Sequence, residues 1–190
     1  MELLIVDRTY TDWEGDRENY ITLLKGELSK FDNSFKLEET DIGHGADLPM
    51  FLAIFSGAAT LFFLGKKINE NLDSWVSIGQ KFHKLVTTLR ERFGETKIDE
   101  NGASFLAIQC ISEQCTSITS LVKISESTIV ISPFSQRNPK RLDSRADALY
   151  IQVFEVNNET MYVIGIKSQG TVEFMHKFGS NFMTFNLDDA

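Results

Sequence analysis

The stretch LPMFLAIFSGAATLFFLG, Leu48 to Gly65, runs for 18 positions without a charged side chain, and Lys66-Lys67 closes it. Asp47 is a good N-cap, and Pro49 falls in a first helical turn, where a missing N–H costs little. Read as a helix, the stretch reaches about 27 Å, short of the roughly 30 Å core of a bilayer. A helix packed between a sheet and a second helix is equally apolar all round. The Asp47 cap, the lack of an aromatic belt and strand-like segments on either side favour burial. The expectation is therefore a central core helix. Membrane insertion of residues 48–65 is the alternative.

An amphipathic pattern continues at once through Ile68, Leu72, Trp75, Phe82, Val86, Leu89 and Phe93, ending at Gly94 as a C′ glycine. A straight helix from 48 to 94 would be about 70 Å long, too long for a compact domain of this size. A long kinked helix or helical hairpin is expected, broken near Gly65, with Gly57 and Gly79 as weaker candidates. Upstream, residues 1–7 read as a strand. Thr11 and Glu14 have capping-box spacing, and Tyr20, Leu24, Leu28 and Phe31 mark a helix over about 12–31. Phe35 to Ile42 is a second strand, expected to run parallel to the first in a β-α-β unit.

Downstream, Ala103, Leu106, Ala107, Cys110 and Ile111 share the face of a short third helix. Ile118–Ile124 and Thr128–Ser132 read as strands around Ser125-Glu126-Ser127, and Pro133–Arg145 as a polar loop. Tyr150–Val156, Met161–Lys167 and Thr171–Lys177 follow as an antiparallel β-meander, with turns at Asn157-Asn158-Glu159 and Ser168-Gln169-Gly170. The expected class is α+β (mixed α/β). A single domain is expected over 1–190, with 1–131 as its α/β part and 132–190 as a β-meander appendage packed on it.

The chain has 190 residues, with 19 Lys+Arg against 27 Asp+Glu and a formal net charge of -8. Such a field opposes coating of nucleic acid, so no nucleic-acid partner is expected. Residues 1–47 are strongly acidic and residues 66–94 are net basic, so the amphipathic helix is expected to dock on the acidic N-terminal unit or to carry a solvated face. Met1 to Asp7 lacks a positive n-region, and 2 Cys suit a reducing compartment; the expected location is cytoplasmic.

Chemistry-bearing patterns are sparse. Gly43-His44-Gly45 precedes the apolar run, but Leu48 stands where a dinucleotide fingerprint needs glycine, and Asp47 would repel a phosphate. Cys110 and Cys115 lack zinc-site spacing, and His44, His83 and His176 are scattered. No metal and no cofactor are expected. Ser56 lies in no nucleophile elbow. Glu39 and Asp41 share a strand face, where solvated charge is ordinary, and Gly165 stands where a nuclease pattern ahead of Lys167 needs an acid. No catalytic residue is assigned, and a hydrolase or nuclease is the third reading. Arg137, Lys140, Arg141 and Arg145 form a candidate anion contact without interleaved aromatics.

Gly45-Ala46-Asp47, Gly57-Ala58-Ala59, Trp75, Ala103 and Ala107 together carry a resemblance over about residues 1–131. In them the chain resembles small effector-associated accessory domains of bacterial conflict systems. That resemblance implies a non-enzymatic adaptor or regulatory role beside an effector, in a defence setting, with no active site to carry over. The expected function is a protein–protein interaction or regulatory module whose partner is another protein or a second copy. The far end of the amphipathic stripe, Val86, Leu89 and Phe93, is the candidate interface.

Overall fold

The computed structural model describes residues 1–6, 17–41, 49–56, 72–131 and 147–179. The first sheet comprises β1 (Glu2–Val6), β2 (Phe35–Asp41), β3 (Pro49–Phe55) and β4 (Glu95–Ile98). Two helices belong to the same part of the chain, α1 (Arg17–Ser29) and α2 (Leu72–Phe93). The strand order is β2-β3-β1-β4. Both β1 and β2 pair antiparallel with β3, so they run in the same direction with β3 between them. β4 pairs antiparallel with the free edge of β1. An element order of β-α-β-β-α-β with this strand order is the ferredoxin-like, split β-α-β connectivity.

The first half of the uncharged run is thus a strand, and the expected helix over 48–65 is corrected. Residues 49–55 are paired along both edges, Phe51 with Ile5 and Glu39, Ala53 with Leu3 and Leu37. The run is apolar on both faces because both faces are covered: Phe51, Ala53 and Phe55 join the main core, and Met50 and Leu52 are buried on the other side with Leu4. A strand buried on both faces and a buried helix give the same uninterrupted apolar string. Residues 57–71, with the expected break at Gly65 and the alternative at Gly57, lie outside the described residues. Among the described residues no helix is long and apolar enough to cross a membrane.

α2 follows the amphipathic pattern from Leu72 and passes through Gly79 unbroken. Gly94, at φ 107, ends it in the left-handed conformation a C′ glycine supplies. β4, which period-3.6 reading passes over, follows directly, with Thr96 and Ile98 inward. Asp99 then caps α3 (Glu100–Gln114), its carboxylate accepting from the Gly102 amide at 2.8 Å and, on its other oxygen, from the Glu2 amide at 2.7 Å. α3 is the helix apolar on every side. Residues 101–112 carry no charge, and Gly102 through Gln109 are buried.

The second sheet is an antiparallel meander in the order β5-β6-β7-β8: β5 (Leu121–Val130), β6 (Ala148–Val156), β7 (Thr160–Lys167) and β8 (Val172–Gly179). β5 is one strand where two were expected, because a bulge between Lys123 and Ser125 takes up Ile124 without ending the ladder. Asn157 and Asn158 both sit at φ 55, the type I′ hairpin geometry that favours asparagine. One buried cluster draws on both sheets, from Leu3 and Phe51 through Phe82 and Phe105 to Phe154 and Ile164. The Ile98 amide donates to the Ser168 carbonyl at 2.7 Å, and the Tyr150 hydroxyl to the Ile98 carbonyl at 3.0 Å, which ties β4 to the meander.

Candidate interaction surface

The faces of the meander differ in what they meet. Along β6, Ala148, Tyr150, Gln152, Phe154 and Val156 are buried, and Leu149, Ile151, Val153 and Glu155 alternate with them, half-buried. The register continues the alternation: Ile166, Ile164 and Tyr162 lie beside the buried set, Lys167, Gly165, Val163 and Met161 beside the outer one. On β8, Phe174, His176 and Phe178 oppose Gly165, Val163 and Met161. On β5, Ile129, Ser127 and Ser125 oppose Leu149, Ile151 and Val153. A strand whose outer face met only water would carry polar residues there. Here the outer rows hold Leu149, Ile151, Val153, Val163 and Phe174, none of which belongs to the core cluster.

Exposure of this face is greatest on its flanking strands, while Leu149, Ile151, Val153, Val163 and Phe174 are half-buried and Met161 is buried. Ile129 is 47% and Phe178 43% exposed, well above what core residues retain. Phe174, His176 and Phe178 form an aromatic row along β8, with ring centroids 5.5 and 6.2 Å apart. An apolar sheet face outside the core is a candidate binding face.

The stripe singled out in the sequence is elsewhere. Val86, Leu89 and Phe93 are 1%, 0% and 5% exposed, so they are core and not a free edge. Tyr20 of α1 meets Phe93 edge-on at 5.2 Å, and the β7–β8 turn covers Val86, since a Cβ at Gly170 would stand 3.0 Å from Val86 Cγ1. Sequence spacing showed that the stripe must be covered. It could not show that α1, α3 and a turn some eighty residues away supply the cover. The outer meander face did leave a signal: Leu149, Ile151 and Val153 are apolar at the positions that strict alternation assigns to solvent.

Among the described residues an ion pair joins the cationic helix to α1, where Glu27 lies between Lys30 at 2.7 Å and Arg92 at 2.5 Å. These residues, with Lys81 and Lys84, line a groove of about 400 Å³ between α1 and α2. Arg137, Lys140, Arg141 and Arg145 lie outside the described residues, as do His44 and the Gly43–Asp47 loop. Glu39 is exposed and paired with Arg17. Trp75, Ala103 and Ala107 are buried packing residues.

Ser104 is sealed, whereas Cys110 and Cys115 are half-buried. The Ser104 hydroxyl accepts from the Lys123 ammonium at 2.9 Å and lies 3.0 Å from Gln152 Oε1, but Ser104 and Gln152 are fully buried. A substrate has no approach to that hydroxyl. Among the described residues the Gln152 Nε2 group has no hydrogen-bond partner, a cost of about 1–3 kcal/mol. Burial, and then the neighbouring Glu113 carboxylate, push the Cys110 thiol up to about 11, which keeps it protonated and unreactive at neutral pH. Among the described residues no three His, Cys, Asp or Glu side chains converge to hold a metal. Comparison with family models, curated proteins and solved structures finds no match to this chain.

Proposed function

We propose that the chain is a non-enzymatic protein–protein interaction or regulatory module that docks a protein partner on the outer face of the β5–β8 meander. The observation that carries this reading is the apolar set Ile129, Leu149, Ile151, Val153, Val163 and Phe174 on a face that the core does not use. Burial of Ser104 and protonation of Cys110 support a binding role over a catalytic one. Free thiols at Cys110 and Cys115 suit the reducing cytoplasm, where we place the protein. The resemblance to accessory domains of conflict systems supports an adaptor role beside an effector.

The test is the size of the chain in native extract. Wild type is expected in a particle larger than its own 21.5 kDa, whereas Ile151→Lys with Val163→Lys runs alone and melts at an unchanged temperature. A double variant that stays in the large particle, or a wild type that runs alone, contradicts the reading.

A further inference from the structure

We propose that the partner on this face is a second copy of the chain, related by a two-fold axis that crosses the strands between the Ile151–Gly165 and Val153–Val163 rows. This dimer presupposes that the face is an interface at all. Three features of the face select the occupant.

Size comes first. Four strands spaced about 4.8 Å apart and some eight residues long at about 3.4 Å each give a face of about 500 Å². Two such faces remove about 1,000 Å² from water, the lower bound for a specific interface. The standard separation of about 10 Å between stacked sheets leaves room for the side chains of both.

Relief is the second feature. The middle rows hold Ile151, Val153 and Val163, and the Phe174 ring occupies the space over Gly165. The centre is therefore apolar, with the space over Gly165 filled by the Phe174 ring. A two-fold relation lays this centre on itself, which an isologous contact requires.

Charge placement fixes the axis. On these paired rows the outer face has Glu155 at one end, beside Met161, and Lys167 at the other, beside Leu149 and paired with Glu173 at 2.5 Å. An axis across the strands brings the Glu155 end of each copy over the Lys167 end of the other. An axis along the strands would instead stack Glu155 near Glu155, where like charges repel.

Sedimentation of the purified full-length chain tests this. With rising concentration the mass is expected to go from 21.5 kDa to twice that value. Val153→Glu with Val163→Glu should hold the single-chain mass and keep the wild-type melting temperature. Glu155→Lys should weaken the dimer about tenfold, and adding Lys167→Glu should restore it. Should the Val153 and Val163 variant fail to fold, the charge pair carries the test, because both positions lie at the ends of the face. Single-chain mass at every concentration overturns the proposal, as does a dimer that survives Val153→Glu with Val163→Glu, or a charge exchange that does not rescue. A chain that is monomeric when pure, yet runs in a larger particle in native extract through Ile151 and Val163, sinks the dimer and leaves the interaction reading standing.

Discussion

A Cβ built on Gly165 would stand 2.3 Å from Cε1 of Phe174, so the aromatic ring lies directly across the glycine of the neighbouring strand. A glycine inside a strand leaves the ladder unpacked, and a cross-strand aromatic laid over it restores the contact. The pair smooths the outer face of the meander where a hollow would otherwise interrupt it.

Removing the ring should therefore cost little in fold and more in association. Phe174→Ala is expected to lower stability by about 1 kcal/mol, the scale of one cross-strand pair. Gly165→Ala is expected to cost no more than about 1 kcal/mol, because the displaced atoms are the far end of an edge-strand side chain that can swing outward. Urea unfolding of both variants is the check. Losses above about 3 kcal/mol would mean that the ring belongs to the core.

Gly79 makes the opposite prediction. A Cβ there would meet the Phe105 carbonyl oxygen at 2.9 Å and Gln109 Cβ at 3.3 Å, which are backbone and near-backbone atoms of α3. Alanine gains about 1 kcal/mol of helix propensity, but it must push two packed helices apart at about 1–3 kcal/mol. Gly79→Ala is expected to destabilise on balance, read as a lower melting temperature. A stabilised variant would show that α2 and α3 cross less closely.

Leu89→Glu with Phe93→Glu should unfold the protein, since both side chains are core and two buried unpaired carboxylates are far too costly to keep. Leu89→Ala alone should cost about 2–5 kcal/mol. Circular dichroism and thermal melts decide this; a folded double variant would return the stripe to the surface.

How much of this was legible in the sequence follows from what each pattern constrains. β1, β2, α2, α3 and the three meander strands each carried a local signature, as in the alternation from Ala148 to Val156 or the C′ glycine at Gly94. β3 was misread because Pro49 to Phe55 is buried on both faces, and that burial erases the period-two signal. β4 is four residues long, shorter than a pattern needs to show its period, although Thr96 and Ile98 do alternate inward. The proposed interaction face escaped notice because the apolar outer residues of β6 read simply as strand. Only the register, which sets Val153 beside Val163, shows them gathered on one side.

Asp99 gives the pH prediction. Burial raises its carboxyl above the usual value, with the Gly102 amide pulling the other way. The folded state thus holds that proton to higher pH than the unfolded chain does. Its contribution to stability is full below the unfolded value and is lost as pH rises through the folded one. Asp99→Asn keeps a capping side chain and should flatten this acid-side dependence, while Asp99→Ala should lose about 1 kcal/mol at all pH values through the lost cap. Unfolding free energies measured at several pH values check both. A wild type that loses stability on acidification more steeply than Asp99→Asn would reverse the sign.

The most direct measurement is photo-crosslinking in producing cells, with a benzophenone side chain placed at Val153 on the outer face of β6 and, separately, at Lys25 on the exposed side of α1. A discrete adduct to one protein is expected from position 153 and not from position 25, with twice the mass of the chain if the occupant is a second copy. No adduct from position 153, or equal diffuse labelling from both, would contradict the outer meander face as the binding surface.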